Sequence, residues 1–258
     1  MVSALDSIQK ILEAEEYGSV ITFVEGSETG QKTVLNSAGE IVAGELPPEV
    51  ADEITADALT LMDHEQHRAM SYQSHAVFIE SLAPPQDLII FGAVHVAQSL
   101  ASFGNQMGYR VTVVDSRAAF ATEERFPSAE RVLVGWPEDL GDDLEFDRRT
   151  WVVILSHEKR LEDPVLESAL KSTVRYIGAM GSRRTHELRL ERLVEKGYSD
   201  EDIGRVYGPV GLDIGAESPQ EVAVSILAEM TLVRYGAGSG MSLKGTEGRV
   251  HKQRPEDA

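Results

Sequence analysis

The chain has no cysteine among its 258 residues. That absence excludes disulfides, thiolate-ligated zinc or iron–sulfur clusters, a cysteine nucleophile and any persulfide carried on the chain itself. Long apolar runs are missing too: no stretch approaches the ~18 uninterrupted apolar residues of a membrane span. The opening residues, Met1-Val2-Ser3-Ala4-Leu5-Asp6, supply neither a basic n-region nor an apolar h-region, so a cytoplasmic setting is expected rather than a secretion signal. Basic charge is scarce. With 24 Lys and Arg against 43 Asp and Glu, the formal charge is −19. Nucleic-acid binding through phosphates needs a basic footprint that this chain does not have. The acidity is spread along the sequence, as a solvated acidic surface would be.

What is present is a globular composition, 42% hydrophobic and 26% charged, with length for one large domain or two modest ones. The organising stretch runs from Leu88 to Asp115. Leu88–Phe91 is a short, unalternating apolar run, as in a strand covered on both faces. Gly92 breaks it, and Val96, Leu100, Phe103 and Met107 then recur at helical spacing up to Gly108. A second apolar strand, Val111–Val114, closes on Asp115, 23 residues after Gly92. This is the layout of a Rossmann βαβ unit, with the acidic residue where a ribose hydroxyl would be read. One position departs from the fingerprint. Val94 stands where a glycine would let the backbone approach a pyrophosphate, which keeps the fold and weakens the dinucleotide reading.

Before this unit, residues 3–17 read as a helix with the stripe Leu5, Ile8, Ile11 and Leu12, stopped by Gly18. Strands follow at 19–24, 32–35 and 40–43, with a turn at Asn36–Gly39, then a helix from Pro47-Pro48 to His64 and a strand at 76–79. Asp63, His64, Glu65 and His67 have spacings a metal could use, but read more simply as the wet end of that helix. After Asp115, strands at 131–134, 150–155 and 174–178 alternate with helices. One of these is expected to start with Asp163 as N-cap and Pro164 at N1, one runs from Ser182 to Lys196, a short one is capped by Ser199, and one opens on the capping box Ser218-Pro219-Gln220-Glu221. The alternation implies an α/β, Rossmann-like doubly wound parallel sheet beside a smaller N-terminal α+β unit. The expected division is 1–82, 83–236 and a loose Gly/Ser/Lys-rich tail, 237–258.

In an open parallel sheet, ligands bind at the carboxyl ends of the strands. Four segments are expected there: the Gly92 turn with His95, Asp115-Ser116-Arg117, Ser156-His157, and Gly178-Ala179-Met180-Gly181-Ser182-Arg183-Arg184. The last brings glycines, a serine and arginines to a helix N-terminus, where backbone N–H groups and guanidinium forks suit an anion. Arg189 and Arg192, further along, are expected to pair with Glu187 and Glu191 on the same helix. His157 reads equally as a site-lining or a structural residue. The segment 208–217 carries more glycine than a short connection needs, and could be a sharp turn or a ligand-facing loop.

Several runs carry a resemblance: Gly92–Ala97, Val113–Arg117 with Arg125-Phe126-Pro127, Tyr176–Arg184, Pro209–Ala216 and Ser218–Glu229. On these the chain resembles the XdhC/CoxI family, accessory proteins that serve molybdenum hydroxylases such as xanthine dehydrogenase. The resemblance implies a maturation factor rather than an enzyme. Such a protein binds the molybdenum cofactor (molybdopterin), protects it while its terminal sulfur is installed, and hands it to the hydroxylase. A cysteine desulfurase is a further candidate partner, and a homodimer is left open. Together with the strand-end segments, this places cofactor contacts at Gly92, Ala93, Val94, His95, Asp115, Arg117, His157, Gly178, Gly181, Ser182, Arg183, Arg184, Gly211 and Asp213. The anion at Gly181–Arg183 would then be a pterin phosphate or pyrophosphate. The N-terminal half departs from the family pattern. Gly26-Ser27-Glu28-Thr29-Gly30 lacks its proline and arginine, and Ala43-Gly44-Glu45 lacks its second glycine and cysteine. The alternatives are an NAD(P)-dependent oxidoreductase, with Asp115 on a ribose and His157 moving a proton, and a degenerate scaffold.

Overall fold

The computed structural model describes residues 3–26, 28–236 and 238–245, so most of the expected tail and Ser27 lie outside the described residues. The chain divides into two units, one up to Pro85 and one from Gln86 onward. The first contains α1 (Ala4–Glu13), β1 (Gly18–Glu25), β2 (Lys32–Asn36), β3 (Ile41–Ala43), α2 (Ala51–Asp63), β4 (His67–Tyr72) and β5 (His75–Leu82). Its sheet is antiparallel throughout, in the order β3-β2-β1-β5-β4. Buried and half-buried residues alternate strictly along β5, because one side of the sheet faces a core of Ile21, Phe23, Val77 and Ile79 with Ile54 and Ala58 of α2. Ile11 of α1 packs with Val34 and Ala43 in a smaller cluster.

Three expectations in this unit need correction. The first helix ends at Glu13, and Gly18 opens β1 instead of stopping a helix. Glu15 has already left the helical region, with φ 52°. Glycine is needed at 18 for space, since a Cβ there would lie 2.9 Å from Ile11 Cδ1 and 2.9 Å from Leu35 O. Nor does the stripe bury as a whole: Leu5 is 72% and Leu12 53% exposed. Past α2, residues 64–66 form a turn, and His67 begins β4, a strand that was not foreseen. Among the described residues no group of three or more His, Asp and Glu is arranged for a metal.

The second unit contains β6 (Asp87–Phe91), α3 (His95–Gln106), β7 (Arg110–Asp115), β8 (Arg131–Val134), α4 (Pro137–Leu140), β9 (Thr150–Ile154), α5 (Lys159–Leu170), β10 (Tyr176–Ala179), α6 (Arg183–Glu195), α7 (Asp200–Gly204), β11 (Val206–Tyr207) and α8 (Pro219–Tyr235). Six parallel strands run in the order β11-β10-β9-β6-β7-β8. One face is covered by α3 and α8 through Ala97, Leu100, Ala223 and Ile226; the other is covered mainly by α5 through Leu161, Val165, Leu166 and Ala169. This is the doubly wound sheet the alternation implied. Trp151 is fully buried at its centre, and its Nε1 donates to Gln86 Oε1 at 3.1 Å. Among the described residues no helix is long and apolar enough to cross a membrane.

Two local devices hold. Ser199 and Ser218 each complete a capping box, with Asp202 and Glu221, and Pro219 sits at N1 of α8. Replacing Ser218 with Ala is expected to destabilise the second unit by about 1 kcal/mol in denaturant titration. One device does not hold. Asp163-Pro164 falls inside α5, which starts after Glu158. A proline there forfeits one helical hydrogen bond. The helix extends backward regardless, because that turn buries Leu161 and Glu162, 2% and 4% exposed.

Candidate functional site

Strand order reverses between β6 and β9, so the loops leaving these two strands flank the crevice where an open sheet of this kind takes ligands. The two loops touch. Gly92 has φ 109°, and a Cβ on it would stand 2.9 Å from Ser156 N. Ala93 behind it is fully buried, and Val94, the N-cap of α3, packs partly against the core without a side-chain cap. His95 and His157 are exposed at the mouths of the two loops. Among the described residues neither ring makes a hydrogen bond or ion pair, so neither has a partner to orient it as a base.

Asp115, at the end of β7, is 1% exposed, and its carboxylate is fully engaged within the chain. Oδ2 accepts from Ala93 N at 2.7 Å and Arg117 Nη2 at 2.7 Å; Oδ1 accepts from Arg117 N at 2.9 Å and Arg117 Nε at 2.8 Å. Four donors fill the acceptor positions of one carboxylate, leaving a ribose hydroxyl only a shared one. Burial alone raises the pKa of this group. The Arg117 guanidinium and the two backbone N–H groups outweigh it, holding the carboxyl below its ordinary 3.8. A depressed folded value contributes stability that is fully present above the unfolded pKa and is lost as pH falls through the lower folded value. Denaturant titrations of Asp115→Asn are therefore expected to show a deficit against the unsubstituted protein at pH 7 that shrinks as the pH is brought down past 3.8.

Three strands from β7, β10 ends in the Gly178–Arg184 segment. Ser182 is the N-cap of α6, its Oγ accepting from Thr185 N at 3.1 Å. Arg184 pairs along the helix with Glu187 at 3.4 Å. Arg183 is exposed, and among the described residues it makes no hydrogen bond or ion pair. A helix start disfavours a cation. Here one stands free beside the first-turn N–H groups, a donor set suited to a phosphate.

Arg189 and Arg192 do not pair along the helix as expected. Arg189 is completely buried and meets Glu162 of α5 in a fork, Nε to Oε1 at 2.9 Å and Nη2 to Oε2 at 2.9 Å. Its Nη2 also donates to Met180 O at 2.9 Å, and its Nη1 lies 3.2 Å from His186 Nδ1. Arg192 Nη2 completes the set, 2.8 Å from Glu162 Oε1 and 3.0 Å from Asp163 Oδ1. The cross-helix pairs win because Glu162 is buried and needs its lone pairs satisfied. Arg189 is thus a positioning residue: it ties the Met180-Gly181 backbone to α5 from beneath.

The 208–217 loop is held by residues not counted among the expected site residues. Glu229 Oε2 accepts from Gly211 N at 3.0 Å and from the hydroxyl of Tyr176, while Ser225 Oγ donates to Leu212 O at 2.6 Å. Gly211 has φ 99°, and a Cβ would fall 2.3 Å from Ser225 Oγ. Gly178 lies under the same loop, where a Cβ would stand 2.6 Å from Val210 Cγ2. Asp213 remains exposed beyond these anchors. Burial, then the charge of Glu229, push the Tyr176 hydroxyl well above its ordinary pKa, so it stays a proton donor. The helical spacing of Ser225 and Glu229, one turn apart on α8, was the available signal.

Comparison with known proteins adds relatives. A family profile described as the XdhC Rossmann domain matches residues 88–230. A Bacillus subtilis protein named as a probable xanthine dehydrogenase subunit is 28% identical over 226 residues, covering 88% of this chain and 64% of that protein. An Escherichia coli protein named molybdenum cofactor insertion chaperone PaoD is 33% identical over 147 residues, 57% of this chain and 40% of its own length. The uncharacterised Escherichia coli protein YqeB is 32% identical over 69% of this chain and 32% of its own length, so the chain spans less than two thirds of each of these relatives. A crystal structure titled as a xanthine dehydrogenase from Bacillus halodurans shares the fold, with a TM-score of 0.54 at 17% identity over 94% of this chain and 98% of that one.

Proposed function

The chain belongs to the XdhC family, and from that premise we propose that it is an accessory protein that binds the molybdenum cofactor and delivers it to a molybdenum hydroxylase of the xanthine dehydrogenase type. The observation that carries this reading is the free Arg183 at the Ser182-capped start of α6, in a chain of formal charge −19. Backbone N–H groups and one unpaired guanidinium fit the phosphate of the pterin, and Arg189 fixes the loop that presents them. The neighbouring candidates at Gly92–His95, Asp115, Arg117, His157, Gly211 and Asp213 line the rest of the carboxyl edge. The cofactor's sulfur would come from a separate donor such as a cysteine desulfurase, because a chain without cysteine carries no persulfide of its own. In this reading residues 83–236 form the cofactor-holding domain of a cytoplasmic protein.

The oxidoreductase alternative has less behind it. The acceptor positions of Asp115 are taken, Val94 crowds a pyrophosphate, and neither His95 nor His157 has an orienting partner. Isothermal titration of the purified protein with molybdenum cofactor and with NAD(P)H separates the readings. Cofactor binding is expected, weakened at least about tenfold in Arg183→Ala, the loss of one charge-assisted contact. Binding of NADH alone, which has no phosphate monoester on its ribose, would replace this reading with the oxidoreductase, and binding of neither the cofactor nor NADH would leave the scaffold.

A further inference from the structure

Between β7 and β8 the chain carries a charge arrangement of which the accessory role draws on Arg117 alone. It turns back at Arg117, whose carbonyl accepts from Phe120 N at 2.9 Å and Ala121 N at 3.2 Å. The turn sets the Phe120 ring, 42% exposed, under two cations: Arg117 Cζ lies 4.4 Å and Arg125 Cζ 5.3 Å from its centroid. Arg125 Nη1 also donates to Phe120 O at 2.6 Å. Arg117 has Asp115 as its counter-ion. Arg125 has none. Among the described residues no carboxylate reaches it, although Glu123 and Glu124 stand in the same turn.

Two guanidinium groups gathered on one ring repel each other, and in a chain with 43 acidic side chains a carboxylate for the second would be easy to supply. Bracing the turn occupies one of the five N–H donors of Arg125 and leaves a fork free. The place is informative as well. The end of the second strand of a βαβ unit is where a ribose is read, by an acidic residue when it carries a hydroxyl and by a nearby arginine when it carries a phosphate. Here the acid is closed off by its own four hydrogen bonds, and beside it stand an exposed Arg117 and a half-buried Arg125.

We propose that Arg117, Phe120 and Arg125 bind a nucleotide that bears a phosphate monoester on its ribose, the guanidinium groups holding that phosphate and the base stacking on the Phe120–arginine assembly. Val94, at the neighbouring turn, keeps the backbone away from a pyrophosphate, so the recognised part is the ribose phosphate end. β7 is three strands from β10, which puts the two strand ends about 14 Å apart. The site stands whether or not the Ser182 helix start holds a pterin phosphate.

The test is isothermal titration of the full chain with 2′,5′-ADP, 3′,5′-ADP and AMP. At least one of the two bisphosphates is expected to bind about tenfold or more tightly than AMP, from one additional charge-assisted fork, and whichever binds identifies the ribose position. Arg125→Ala is expected to remove that advantage. Phe120→Leu, which keeps the apolar bulk and loses the ring, should weaken bisphosphates and AMP alike. Melting both variants without ligand separates a lost contact from a collapsed turn: the proposal needs the affinity to fall in at least one variant whose melting temperature is unchanged. Equal affinity for AMP and both bisphosphates would overturn it. So would displacement of the bisphosphate by inorganic phosphate at equal concentration, or a loss of affinity in Arg183→Ala with none in Arg125→Ala.

Discussion

Glu162→Ala is expected to destabilise the second unit by about 3–5 kcal/mol, because it strands a buried cation. Arg189 is completely buried, and Glu162 is the carboxylate that meets it. Removing the acid leaves a guanidinium in a dry site with one backbone carbonyl and a histidine ring for company. Arg192 would retain Asp163, 3.0 Å away, so the damage concentrates on Arg189. Against a total stability of roughly 5–15 kcal/mol this is a large share, and at about 2–4 °C per kcal/mol the melting temperature should drop by on the order of 10 °C. The control is the double replacement Glu162→Leu with Arg189→Met. Exchanging both charges for apolar groups of similar bulk should restore most of the stability. It should not restore anion binding, since the tie from Arg189 to the Met180 carbonyl is gone. Full recovery of stability and ligand affinity together would show that Arg189 positions nothing.

Gly92→Ala is the second. The backbone there has φ 109°, where an L side chain is strained, and the added methyl would meet Ser156 N at 2.9 Å and the Leu155 carbonyl carbon at 3.2 Å. Strain of this kind costs about 1–3 kcal/mol, and backbone displaced by overpacking a similar amount. The expected sum is about 2–6 kcal/mol in urea titration, together with a loss of affinity for anything bound at the switch point, because the ends of β6 and β9 are forced apart. A stability change under about 0.5 kcal/mol would mean that the contact between the two loops relaxes freely.

Elements written in consecutive residues were legible in advance. The βαβ unit from Leu88 to Asp115 and the box at Ser218–Glu221 form as read, since caps and glycine turns act over three or four positions. β4 was missed because His67-Arg68-Ala69-Met70-Ser71-Tyr72 is a polar edge strand with little β-forming character, specified by its partner β5 and not by itself. The start of α5 was misplaced for a related reason: burial of Leu161 and Glu162 outweighs a proline. Pairing was the hardest part to foresee. Glu162 and Arg189 are 27 residues apart, and nothing local separates that partner from Glu187 or Glu191. The same holds for the hydrogen bond that Asp115 accepts from Ala93 N, which joins residues 22 apart.

The anchoring of the 208–217 loop bears on how a ligand would be received. Glu229, Ser225 and Tyr176 have already removed most of the conformational freedom of Gly211 and Leu212, at about 1–2 kcal/mol of entropy per residue, when the chain folds. A molecule arriving at that rim meets a surface that is already ordered, so its affinity is not reduced by the need to arrange the loop around it.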